Sequence, residues 1–239
     1  MNRFSLAVLA AAGIATGAAH AALIETKTDG ASPSVYSGGG GSGFGGTLGG
    51  ASISFDTVGS NLDVSFTPGG SFGSNIVVIM LDTKAGGVDD ASMNDTADGG
   101  RRAVSSPQAN ATLAYPSGMA GGLPDYALAI GSFGTVLFEL TSGTSLNFVQ
   151  FNPASNISIP LSSIGTPSSI DWFAYLTSDT QFLSNESLPA SSTLNSGGNP
   201  GFSGSASVDN HNRFVVPEPA SLALLGLGAV GLLRRRQST

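Results

Sequence analysis

The chain has 239 residues, enough for one sizeable hydrophobic core, yet only 10% of them are charged, against roughly 25% in an average soluble domain. Cysteine is absent, which excludes a disulfide scaffold, a thiolate zinc site and a cysteine nucleophile. A formal net charge of -7 argues against nucleic acid as a partner, because its binders need a basic face to displace phosphate counterions.

Residues 1–21 carry one basic residue, Arg3, then an uncharged Ala-rich stretch, and end on the small-x-small pattern Ala19-His20-Ala21. That order is the layout of a secretory signal peptide, passed through a secretion translocon and cleaved after Ala21. The next stretch, 22–215, holds 15 acidic and five basic residues. Such a balance favours solubility and cation association over attraction to anionic polymers.

Within 22–215 the apolar pattern has period two. After a glycine-rich stretch at 37–50, read as a surface loop too flexible to pack, 51–57 places Ile53 and Phe55 on one face. Residues 61–67 do the same with Leu62, Val64 and Phe66, and Val58-Gly59-Ser60 between them suits a hairpin turn. Residues 75–82 (NIVVIMLD) form a continuous apolar run, as in a strand covered on both faces. Further strands are predicted at 126–130, 135–140, 146–151, 156–161, 170–177 and 208–215, with a second Ser/Asn/Gly-rich loop at 183–204. No stretch shows a capped helical stripe. The expected fold is all-β: one antiparallel, jelly-roll-like β-sandwich, flanked by the signal peptide and a C-terminal hydrophobic sorting helix.

The rhythm breaks at 83–124, a long acidic insertion between two strong strands; connections of this length are more often functional than short turns are. Asp82, Asp89, Asp90, Asp95 and Asp98 crowd into 17 positions, and like charges so close must be offset. Arg101, Arg102 and Lys84 offer one answer, as a solvated loop with local ion pairs. Calcium, which takes six to eight oxygen ligands, offers another, and a catalytic carboxylate is a third. Around the insertion, Ile79-Met80-Leu81-Asp82-Thr83 and Leu123-Pro124-Asp125-Tyr126-Ala127-Leu128 resemble a pattern in bacterial surface β-sandwich modules. That resemblance implies a core strand at Asp125-Tyr126 and a module that sits beside carbohydrate-active enzymes or binds sugar.

Sugar binding asks for an aromatic platform. The lone tryptophan, Trp172, alternates in Ile170-Asp171-Trp172-Phe173-Ala174-Tyr175, so it is either a core residue or an exposed ligand-binding surface. Serine-histidine catalysis has only His211 within 22–215 to draw on, and a zinc site needs more ligands than that. The body therefore reads as a non-enzyme.

The end of the chain, 216–239, begins Val216-Pro217-Glu218-Pro219, continues as a short Leu/Ala/Gly run and closes on Arg234, Arg235 and Arg236. The prolines favour an extended segment before the apolar run, and the arginines hold the C-terminus in the cytoplasm by the positive-inside rule. These three elements in order resemble the PEP-CTERM protein-sorting signal. The resemblance implies an exosortase of Gram-negative bacteria as processing partner, transient anchoring in the inner membrane, and delivery to the cell surface or extracellular matrix. The expectation is an exported structural or adhesive component of the exopolysaccharide matrix, with carbohydrate binding. The alternative is a carbohydrate-active enzyme or accessory module delivered to the same place.

Overall fold

The computed structural model describes residues 33–217. The predicted cleavage residues Ala19 and Ala21, and the tail residues Glu218, Pro219, Arg234, Arg235 and Arg236, lie outside them.

Period-two patterning does what it promised. A four-stranded antiparallel sheet is built from β1 (Ser34–Ser37), β2 (Ser52–Val58), β3 (Asn61–Thr67) and, following in space, β9 (Asn156–Pro160). Gly59 takes φ 63° at the β2–β3 turn, a left-handed conformation that glycine adopts without penalty. Facing it is a larger antiparallel sheet. Its members are β4 (Asn75–Asp82), β6 (Tyr126–Gly131), β7 (Gly134–Glu139), β8 (Asn147–Asn152), β10 (Ser169–Ser178), β11 (Leu183–Leu188) and β13 (Asn212–Val215). The order β11-β10-β4-β6-β7-β8 puts β4, β6 and β10 at the centre, and β13 pairs with the first half of β10 while β11 takes the second. The Asp125-Tyr126 segment opens β6 and pairs in this sheet, the position that the module resemblance implied.

Two cores result from alternation on the central strands. Val77, Ile79 and Leu81 of β4, with Ile170, Trp172 and Ala174 of β10, point into the sandwich against Phe55, Leu62 and Ile159 of the smaller sheet. Ile76, Val78 and Met80, with Phe173 and Tyr175, point the other way into a second cluster. That outer face would be solvated in a simple sandwich. Here the insertion covers it, through a 3-10 turn (Asp90–Ser92), α1 (Gly99–Ser105) and β5 (Leu113–Ala114), the last paired with β12 (Ala206–Ser207).

Three expectations need correction. The 83–124 insertion is an ordered layer carrying a helix, because the continuous apolar run of β4 demands cover on both faces. Trp172 is fully buried, edge-on to Tyr36 at 4.9 Å between ring centroids; placed on a central strand, it fills the sandwich and offers no surface to a ligand. The glycine-rich 37–50 segment is packed as well. Its backbone is held by the carboxylate of Glu186 on β11, which accepts hydrogen bonds from Phe44 N (2.7 Å), Gly46 N (3.2 Å), Leu48 N (2.7 Å) and Gly49 N (2.9 Å). Close approach demands the glycines: a Cβ at Gly41, whose φ is 87°, would stand 2.0 Å from Asn185 O.

Candidate functional site

The five aspartates expected to gather do not. Asp89 caps the 3-10 turn, accepting from Ser92 N at 2.9 Å, and Asp98 caps α1, accepting from Arg101 N at 2.9 Å. Both are ordinary acceptors for the orphan N–H groups of a helix start. Asp82, at the end of β4, accepts from Gly121 N at 2.7 Å; burial and then the carboxylates of Asp125 and Asp171 push its pKa up. Asp90 accepts from Leu113 N at 2.6 Å, and burial pushes its pKa to about 7. Asp95 is buried too, yet Leu146 N and Arg101 outweigh that burial and hold its carboxyl below the ordinary value. Backbone N–H groups meet at least one oxygen of each of these carboxylates, and the Arg101 guanidinium pairs with Asp95 and Asp98, the local ion pairing that is one of the alternatives above. Among the described residues, no group of three or more His, Cys, Asp or Glu side chains is placed to hold a metal.

What the insertion does build is a cleft of about 480 Å³ between α1, the β6–β7 turn and the edge strand β8. Arg101 ties its parts together. Its Nη1 donates to Asp95 Oδ2 at 2.6 Å and to Leu146 O at 2.8 Å, its Nε lies 3.3 Å from Asp98 Oδ2, and its guanidinium stands 5.1 Å from the Phe138 ring centroid. Cation–π contact and ion pairs to two separate carboxylates together fix a side chain that would otherwise carry much rotamer freedom.

Aromatic rings line one wall. Phe133, at the β6–β7 turn, is 39% exposed and Phe148, on β8, is 58% exposed; both border the cleft with Phe138 and Val136. A bulge in β8 explains their grouping. Phe138 pairs with Phe148 and Leu137 with Gln150, so Val149 is the extra residue. That extra residue brings Phe148 and Phe151, three apart, onto the face of Phe138 and Val136, where strict alternation would separate them. Period-two reading of 146–151 therefore missed the site.

Polar groups line the rest: Ser74 before β4 and Asn75 at its start, Asp98 and Arg101 at α1, Ser132, and Asp179 after β10. The exposed rings thus stand beside carboxylates and an amide, an apolar surface edged by hydrogen-bonding groups. His211 lies elsewhere, 3.9 Å from Asp171 Oδ2 and away from the cleft lining.

The sorting segment is partly within the fold. Val216 is buried in the sandwich core and its N–H donates to Ser168 O at 2.9 Å, while Pro217 is exposed. The β13 pairing thus continues one residue into the extended segment, at Val216. Among the described residues no helix is long and apolar enough to cross a membrane.

The family model for the PEP-CTERM protein-sorting motif matches residues 215–237. No curated protein and no solved structure matches the chain.

Proposed function

We propose, from the PEP-CTERM sorting motif that this chain carries at its C-terminus, that its β-sandwich is a glycan-holding structural component of the extracellular matrix. The motif implies an exported protein processed by an exosortase. The body then has to do its work outside the cell, among polysaccharides.

One observation carries the binding assignment: Phe133 and Phe148 stand exposed along a cleft of about 480 Å³ whose other walls present Asn75, Asp98 and Asp179. The exposed rings supply apolar area and the polar side chains fix orientation, the usual division of labour in small-ligand sites. The charge selects the ligand class. Asp98 and Asp179 border the cleft, and Arg101 is already engaged by Asp95 and Asp98. A uronic acid or sulfated sugar would meet repulsion there, so the ligand is a neutral glycan.

The test is a panel of immobilised oligosaccharides, neutral hexose polymers beside uronate-rich ones, with products assayed after incubation. Binding to neutral members without turnover is the expected result. Turnover that stops in Asp98→Asn or Asp179→Asn would replace this reading with that of a carbohydrate-active enzyme.

A further inference from the structure

The sorting motif and the folded body overlap, with no linker between them. The matched motif begins at residue 215, and Val215 is the last residue of β13, standing opposite Ser169 of β10. Val216, the first residue of Val-Pro-Glu-Pro, places its side chain in the sandwich core and its N–H on Ser168 O at 2.9 Å. Two pairs back from Val215, Arg213 grips Asp171 with two hydrogen bonds, Nε to Oδ1 at 2.6 Å and Nη2 to Oδ2 at 2.8 Å. Asp171 is itself buried and also accepts from Ala120 N at 2.6 Å, so the strand is anchored to both the sheet and the insertion.

Enzymes that take peptide segments as extended strands use the main-chain N–H and C=O groups of several consecutive residues. At Val216 the N–H is committed to Ser168, the residue before β10, and the side chain to the core. Pro217 has no N–H to offer. We infer that processing of the folded protein requires β13 to peel from β10, so that the strength of the β13–β10 pairing sets the rate at which the tail is removed. This rests on the tail being an exosortase substrate. It adds a regulatory element within the body, with the Asp171–Arg213 pair as its latch.

A cysteine-free chain makes the test direct. Full-length Ser169→Cys/Val215→Cys is expressed in an exosortase-bearing Gram-negative host, and conversion of precursor to mature form is followed by pulse-chase. Non-reducing gels report the disulfide. The oxidised staple should slow processing at least ten-fold, and a membrane-permeant thiol should restore it, with each single-cysteine variant at the normal rate. In parallel, eight Gly/Ser residues inserted between Val216 and Pro217 should make processing faster than in the unaltered chain. Normal processing of the stapled protein, or an insertion without effect, overturns the inference. Glu218→Ala reports on the sorting reading separately: if it is processed normally, that reading fails whatever the staple does.

Discussion

Phe148 stands directly opposite Phe138 across the β7–β8 pair, whereas Gln150 is opposite Leu137. The residue between them is a bulge, and it turns an edge strand into one wall of the cleft. Phe151 shares the face but does not line the cleft. Phe148→Ala should therefore weaken glycan binding about ten-fold, equivalent to about 1.4 kcal/mol, and Phe151→Ala by less than two-fold. Calorimetric titration with a neutral oligosaccharide distinguishes them. Both rings are about half exposed, so neither change should move the unfolding midpoint much.

Arg101 is the joint between insertion and sheet. Asp95 is 2% exposed at its side chain and Arg101 20%, so truncating the arginine leaves a carboxylate buried with only backbone partners. Loss of one partner from a buried pair typically costs about 3 kcal/mol or more. Arg101→Ala should lower the urea midpoint accordingly and loosen α1, seen as faster amide exchange at Ala103 and Val104. An unchanged midpoint would mean that the helix is held by its apolar contacts alone.

Glu186 tests how the glycine-rich segment is ordered. Four N–H donors converge on its two oxygens. Glutamine keeps the size but replaces one acceptor by a donor that faces N–H groups. Unsatisfied buried donors cost roughly 1–3 kcal/mol each, so Glu186→Gln should lose about 3 kcal/mol in denaturant unfolding. Amide exchange should accelerate first at Gly46, Leu48 and Gly49.

These sites also mark where sequence patterning stops being informative. The hairpin β2–β3 and the strands β4, β6 and β10 follow from apolar periodicity, a local property. The order of 37–50 depends on a carboxylate about 140 positions later, and 183–204 shows no periodicity because β11 spends its interior positions on Ser184, Glu186 and Ser187. Helix α1 has seven residues, opens on two glycines and carries only Ala103 and Val104 as apolar anchors, too short a stripe for a helical period. Trp172 was ambiguous because alternation says which residues share a face, not whether another layer covers that face. The cleft itself was hidden by one extra residue in β8.

Acid titration offers a check on the insertion's interior. Burial raises the pKa of Asp90 from 3.8 to about 7. Between those values the folded state keeps a proton that the unfolded state has lost, so stability from this group is complete below pH ~4 and lost as pH rises toward ~7. Asparagine mimics the protonated form and keeps an oxygen for Leu113 N. Asp90→Asn should match the unaltered protein at pH 4 and exceed it at pH 8, by up to about 4 kcal/mol. Asp95 and Asp171, whose partners hold them low, contribute with the opposite sign, losing stability as pH falls through their folded values. Urea unfolding at pH 4, 6 and 8 follows the Asp90 window, and a series carried below pH ~4 follows Asp95 and Asp171.

Glycan holding by the exported body is proposed to rest on the rings of its cleft, Phe133 and Phe148. The most direct measurement is the fraction of mature protein retained on the producing cells' own extracellular polysaccharide after washing, for the unaltered chain and for Phe133→Ala/Phe148→Ala. The double variant should be processed and secreted normally and lose most of its retention. Retention equal to that of the unaltered protein would contradict the proposal.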